Sequence, residues 1–121
     1  MPTFNRFEDI LAWQKARLIT KSIYNATANG AFAKDFGLRD QARRASVSIM
    51  ANIAEGFARR SDKDFANFLN MARSSAAEVQ SHLYVALDQD YIEQATFQET
   101  HRQLEEVSKM IIALARHLVH K

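Results

Sequence analysis

The stretch SVSIMANIAEGFARRSDKDF, residues 46–65, decides the fold. Its apolar residues recur every three or four positions, which is the period of a helix buried on one side. Arg59 and Arg60 then place positive charge where that helix's dipole is negative, so the helix is expected to end there. Ser61 follows as an N-cap, with Asp62 and Asp64 in the first turn of the next helix. Two long helices joined by so short a turn must fold back on each other, antiparallel.

Working outward, the same spacing continues in both directions. The helix before the turn is expected over about Leu38 to Ala58, with Leu38, Ala42, Ala45, Ile49, Ile53 and Phe57 as its core seam. The helix after it carries Phe65, Leu69, Ala72, Ala76, Val79, Leu83 and Ala86 to about Leu87, and Asp88-Gln89-Asp90 makes a turn over Tyr91-Ile92. Upstream, Asn5 and Glu8 read as a capping pair that opens a first helix near Arg6. Its seam is Ala12, Ala16, Ile19, Ile23 and Ala26, widened by Leu11 and Leu18, and Asn29-Gly30 is its expected stop. Thr96 and Glu99 read as a capping box for a last helix carrying Phe97, Leu104, Val107, Ile111, Leu114 and Leu118. The expectation is an all-α, antiparallel up-and-down four-helix bundle, one domain over residues 1–121.

On a wheel at about 100° per residue, the second helix shows more than one apolar face. Val47, Met50, Ala51, Ala54 and Ala58 fall in a sector away from the core seam. Between the two runs a polar row of Gln41, Arg44, Ser48, Asn52, Glu55 and Arg59. A monomeric bundle needs one apolar stripe per helix, so the second marks these five residues as a self-association surface. Trp13 and Tyr24 lie off the seam of the first helix, and Tyr84 off that of the third. Trp13 and Tyr24 join the interface candidates. The competing reading is a monomer with scattered surface apolar residues.

Ser48, Asn52 and Glu55 are read as a polar network that fixes register between helices or subunits, with contact to a ligand or RNA and plain solvation as the alternatives. Gly56, costing about 1 kcal/mol relative to alanine inside a helix, implies either close approach by another helix or fraying near the end.

Composition bounds the function. With 47% hydrophobic and 25% charged residues the chain reads as globular. It has no cysteine, hence no thiolate nucleophile, disulfide or cysteine metal site. Arg6, Glu8, Asp9, Lys15 and Arg17 argue against a secretory signal, and the longest uncharged run, Ser22 to Ala33, is polar and too short to span a membrane. The expected setting is cytoplasmic. Net charge is +2, yet residues 1–75 hold 12 Lys and Arg against 7 Asp and Glu, while residues 76–121 hold 4 against 7. The basic excess permits a polyanionic partner without requiring one.

Three strings carry a resemblance: FEDILAWQKA (Phe7 to Ala16), NIAEGFARRSDKDFANFLNMA (Asn52 to Ala72) and LEEVSKMIIAL (Leu104 to Leu114). They resemble the bacterial four-helix-bundle proteins named after proteins encoded in intervening sequences of the 23S ribosomal RNA gene. The Asn-Ile-Ala-Glu-Gly core with its basic pair and Ser-Asp-Lys is the most specific part. The resemblance implies an up-and-down protomer assembling as a ring-shaped pentamer. It also implies kinship with the accessory variability proteins of diversity-generating retroelements, basic pentamers that bind nucleic acid and a reverse transcriptase. This chain is less basic than those.

Two functions are therefore expected to compete. In the first, a homo-oligomer binds RNA or other nucleic acid through Arg39, Arg43, Arg44, Arg59, Arg60, Lys63 and Arg73, reading backbone and shape more than bases. Arg39 and the Arg59–Arg60 pair fall at opposite ends of one bundle, so no single patch holds all seven. In the second, the ring is a scaffold for a partner protein such as a reverse transcriptase. Catalysis is not expected: Glu78 and His82 stand four apart on one helix but lack a third ligand at motif spacing, and His117 and His120 fall near the chain end. No phosphate loop, nucleophile elbow, cofactor or metal site is indicated.

Overall fold

The computed structural model describes residues 4–119, and among these the chain is helical without strands. A single 3-10 turn, Phe7–Asp9, leads into α1 (Leu11–Ala26). A short α2 (Gly30–Lys34) precedes three long helices, α3 (Phe36–Phe57), α4 (Asp62–Asp88) and α5 (Gln94–Val119).

The four long helices pack as a bundle in which sequence neighbours run antiparallel. Ser48 of α3 meets Ser75 of α4, and further along Gly56 meets Phe65 and Phe68. Gln80 and Tyr84 of α4 face His101 and Phe97 of α5 in the same reversed order. Thr20 of α1 and Thr27 just past its end meet Ser46 and Arg43 of α3, and Lys15 of α1 reaches Glu106 of α5. The core holds most of the seams read from the sequence, namely Ala12, Ala16, Ile19 and Ile23, then Ala42, Ala45, Ile49 and Ile53, the seam from Phe65 to Ala86, and Phe97, Leu104, Val107, Ile111 and Leu118. Ala26, Leu38, Phe57 and Leu114 are only partly buried, and Ile10 and Phe32 join the core from outside those seams. Burying these stripes is what stabilises helices of such ordinary propensity.

Ser61 Oγ accepts from the Asp64 amide at 3.1 Å, as its position before an acidic first turn requires. α4 ends with Asp90 at φ 60°, its amide bonding the Leu87 carbonyl and the Tyr91 amide the Ala86 carbonyl. That is the Schellman pattern, and it swings Tyr91 under the bundle, where its ring stacks on Phe32 and its hydroxyl donates to Asp35.

Four expectations need correction. The Asn5–Glu8 capping pair does not form: the Asn5 amide goes to Asp9, Glu8 pairs with Arg6, and the α-helix proper starts only at Leu11. α1 stops at Ala26 instead of Asn29-Gly30: Thr27, at φ −100° and ψ 6°, already leaves the helical region while its hydroxyl donates to the Ile23 carbonyl at 2.7 Å, and Gly30, at φ 70°, starts α2. Leu11 and Leu18 do not widen the seam, being 64% and 59% exposed. Thr96 is no cap, since α5 opens two residues earlier, and Glu99 instead binds Arg102.

Candidate functional site

α3 carries more than half of the residues the sequence singled out, while Ala58, Arg59 and Arg60 follow its end, Lys63 and Arg73 stand on α4, and Trp13 and Tyr24 on α1. On the side turned to α4, Asn52 Nδ2 donates to the Ser48 carbonyl at 2.9 Å and to Ser48 Oγ at 3.0 Å. Ser75 Oγ donates to Ser48 Oγ at 3.0 Å. This chain of hydrogen bonds ties α3 to α4 within one protomer. Glu55 stands apart from it: the carboxylate is exposed and meets no partner among the described residues. Gly56 lies on the same seam. A Cβ there would sit 2.8 Å from Phe68 Cβ, 2.9 Å from Phe65 Cδ1 and 3.2 Å from the Phe65 carbonyl oxygen. Close approach by α4 of its own chain therefore explains the glycine, and no neighbouring subunit is needed.

The second apolar sector resolves into two groups. Met50 is half-buried toward α1, where its sulfur lies 3.6 Å from Thr20 Oγ1. Val47, Ala51 and Ala58 are exposed and Ala54 is half-exposed, forming a strip of small side chains along the outward face of α3. Trp13 is half-buried with Phe7 edge-on at 5.2 Å. Tyr24 is 42% exposed and lies beneath the Arg43 guanidinium at 4.6 Å.

The seven basic candidates do not form one patch. Arg39 donates to Asp40 and to the Ala33 carbonyl, and lies over Phe36. Arg43 reaches back to the end of α1, donating to Thr27 Oγ1 at 2.8 Å and to the Thr27 carbonyl at 3.3 Å. There it satisfies a helix-end acceptor and opposes the dipole, and Thr27 is fully buried beneath it. The Arg59 guanidinium lies over the Phe68 ring, 4.6 Å from its centre. Arg44, Arg60, Lys63 and Arg73 are exposed without an ionic partner among the described residues. Arg59, Arg60 and Lys63 share the α3–α4 turn with Asp62 and Asp64, which offset most of their charge. Arg43 and Thr27 went unread as a pair because nothing in their spacing joins residues on different helices.

Titratable groups elsewhere are modest in what they can do. Glu78 meets His82 at 3.1 Å, with no further ligand to make a metal site among the described residues. His117 is exposed, and His120 lies outside the described residues. On the outer side of α5, Glu99 is held below the ordinary carboxylate range by its hydrogen bonds from Arg102. Glu106 is lowered likewise by Lys15 and, less, by Arg102. The Asp35 carboxylate raises the Tyr91 phenol by accepting its hydrogen bond. No helix among the described residues is long and apolar enough to cross a membrane.

Comparison with known proteins adds two findings. A family model described as 23S rRNA-intervening sequence protein matches residues 8–113. A crystal structure of a protein of unknown function from the S23 ribosomal protein family of Bacteroides thetaiotaomicron superimposes with a TM-score of 0.81 at 26% identity. The match covers 88% of this chain and 96% of that one. Among functionally curated proteins none matches.

Proposed function

The chain belongs to the 23S rRNA-intervening sequence protein family, and from that premise we propose that it acts without catalysis, as a homo-oligomeric ring that holds RNA or other nucleic acid on repeated basic patches. Five copies is the expected number, and the cytoplasm the expected place. The observation that carries the reading is the outward strip of α3. Val47, Ala51, Ala54 and Ala58 leave an apolar line, free of bulk, on a helix whose opposite face already fills the core. Small side chains allow another helix close, and water-exposed apolar area favours covering it. Each copy would then add Arg44, Arg60, Lys63 and Arg73, so that a weak charge per chain becomes a multivalent surface.

Native mass measurement with and without RNA tests both parts. Multiples of 13.8 kDa are expected; a 13.8 kDa particle at micromolar concentration ends the ring. RNA affinity should fall steeply with salt, and Arg60→Ala should flatten that dependence by about 0.7–0.9 in the log–log slope. Binding indifferent to salt, or absent at low salt, removes the nucleic-acid part.

A second reading has its own support. Arg39, Arg43 and Arg59 are engaged by their own chain, and Asp62 and Asp64 dilute the turn. That balance suits a scaffold for a partner protein, for instance a reverse transcriptase. A pull-down treated with nuclease separates the two, because a scaffold keeps its partner after the nucleic acid is gone.

A further inference from the structure

α1 is the long helix without a carboxylate: its 16 residues carry Lys15, Arg17 and Lys21 and no acid. Lys15 is spent on Glu106 at 2.9 Å, on the α5 side. Arg17 and Lys21 are exposed and meet no carboxylate among the described residues. An aromatic ring stands at each end of this pair. Trp13, Arg17, Lys21 and Tyr24 follow at intervals of 4, 4 and 3, so they share one face over about 16 Å at about 1.5 Å per residue. The Arg17 guanidinium lies 5.8 Å from the Trp13 ring centre, and Arg43 of α3 covers Tyr24. A cleft of about 640 Å³ opens beside Trp13, walled by Arg6, Arg17 and Met50, and a second of about 420 Å³ continues from Trp13 past Arg17 to Lys21. Glu8 is the carboxylate in the first cleft, and Arg6 holds it at 2.9 Å.

Aromatic rings at either end of two cations that meet no carboxylate, along one line, are what an unpaired strand requires: ring faces for its bases, positive charge for its phosphates. A duplex hides its base faces and would use the charges alone. We propose that the Trp13–Arg17–Lys21–Tyr24 row is a track for single-stranded nucleic acid, with a base stacked on the Trp13 indole and phosphates on Arg17 and Lys21. The inference rests on the nucleic-acid reading above and adds α1 to the contacts made there by Arg44, Arg60, Lys63 and Arg73. Charge complementarity favours a polyanion over a second copy of the chain here, because the cations of the row outnumber a single carboxylate that is already paired.

Trp13 is the chain's single tryptophan, so its emission reports on the track alone. A short labelled oligouridylate is titrated at low salt, with label anisotropy reading binding and Trp13 emission reading its place. Both signals are expected to move with one midpoint, and a duplex of equal length to leave the emission unchanged. Trp13→Leu should weaken binding about tenfold, and Arg17→Ala with Lys21→Ala should flatten the salt dependence by about 0.7 per cation removed. The double variant removes exposed side chains, so it keeps the test decisive where loss of Trp13 harms folding. Anisotropy that rises while emission stays flat and all variants bind equally overturns the track but leaves nucleic-acid binding standing. No anisotropy change at low salt overturns both. Emission that shifts on dilution and ignores the oligonucleotide makes the row an interface between copies, and also overturns the proposal.

Discussion

The inward and outward faces of α3 are built from almost the same residues and behave as opposites. Ala42 and Ala45 are sealed against the core while Ala51 and Ala58 face out, and Ile49 and Ile53 are buried while Val47 is 40% exposed. Nothing in residue type separates the two. The inward face is set by contacts with α1 and α4 inside the protomer. The outward face has no contact to define it, so its meaning depends on what covers it. Apolar periodicity thus reports that a face wants burial and leaves the burying partner unnamed.

Truncations on either side should break this symmetry most sharply. Ile53→Ala is expected to cost about 2–5 kcal/mol, since it empties volume in a face with no room to relax. Val47→Ala should stay within about 0.5 kcal/mol in the dissociated chain. Urea unfolding of both variants at low protein concentration decides it. Equal losses would mean the outward face already belongs to the protomer's own packing.

Gly56→Ala comes next, and two effects oppose each other. Alanine gains about 1 kcal/mol of helix propensity, but its Cβ lands 2.8 Å from Phe68 Cβ and 3.2 Å from the Phe65 backbone oxygen. Neither atom is the loose end of a side chain, so α3 and α4 must separate. Overpacking of about 1–3 kcal/mol then leaves a net loss of up to about 2. A stabilised Gly56→Ala variant would show that the seam yields.

These contrasts locate what was legible in the sequence. Most of each seam, the Arg59-Arg60-Ser61 turn and the need for close approach at Gly56 follow from local spacing, and the structure keeps them. Ile10 and Phe32, buried from a turn and a short helix, lie outside any long period. Leu11 and Leu18 misled because a wheel shows only that a residue flanks the seam, while exposure is decided by how near the neighbouring helix lies. Met50 was grouped with Ala54 by angle, yet Thr20 of α1 draws it inward. Arg43 reads as a free cation from local spacing, whereas the structure engages it with Thr27, 16 residues away. Side chains reaching between helices carry no sequence period.

Arg43 and its neighbour Arg44 sharpen the comparison within one turn of helix. Arg43→Ala strips donors from a buried helix end and is expected to cost about 1–3 kcal/mol. Arg44→Ala should leave stability within about 0.5 kcal/mol and act, if anywhere, on salt-dependent RNA binding. Thermal unfolding beside an RNA titration checks both, and the reverse pattern would invert the roles assigned here.

The gentlest contrast sets the hydrogen-bonded α3–α4 seam against α1–α5, which is laced on its outer edge by Lys15–Glu106 at 2.9 Å and continued by Arg102. Hydrogen bonding from Lys15 lowers the Glu106 carboxyl, and Arg102 lowers that of Glu99. A carboxyl whose folded value is depressed contributes stability at pH values above its unfolded value of about 4.3, and loses it as pH falls through the folded value. Wild type should therefore exceed Glu106→Gln by a small, constant margin above pH ~5, and the two melting curves should converge in more acidic buffer. Salt should narrow the margin at neutral pH, because these groups sit in water where ions screen them. A margin that survives full protonation would place the effect in side-chain shape, and α1 would then be held to α5 by packing alone.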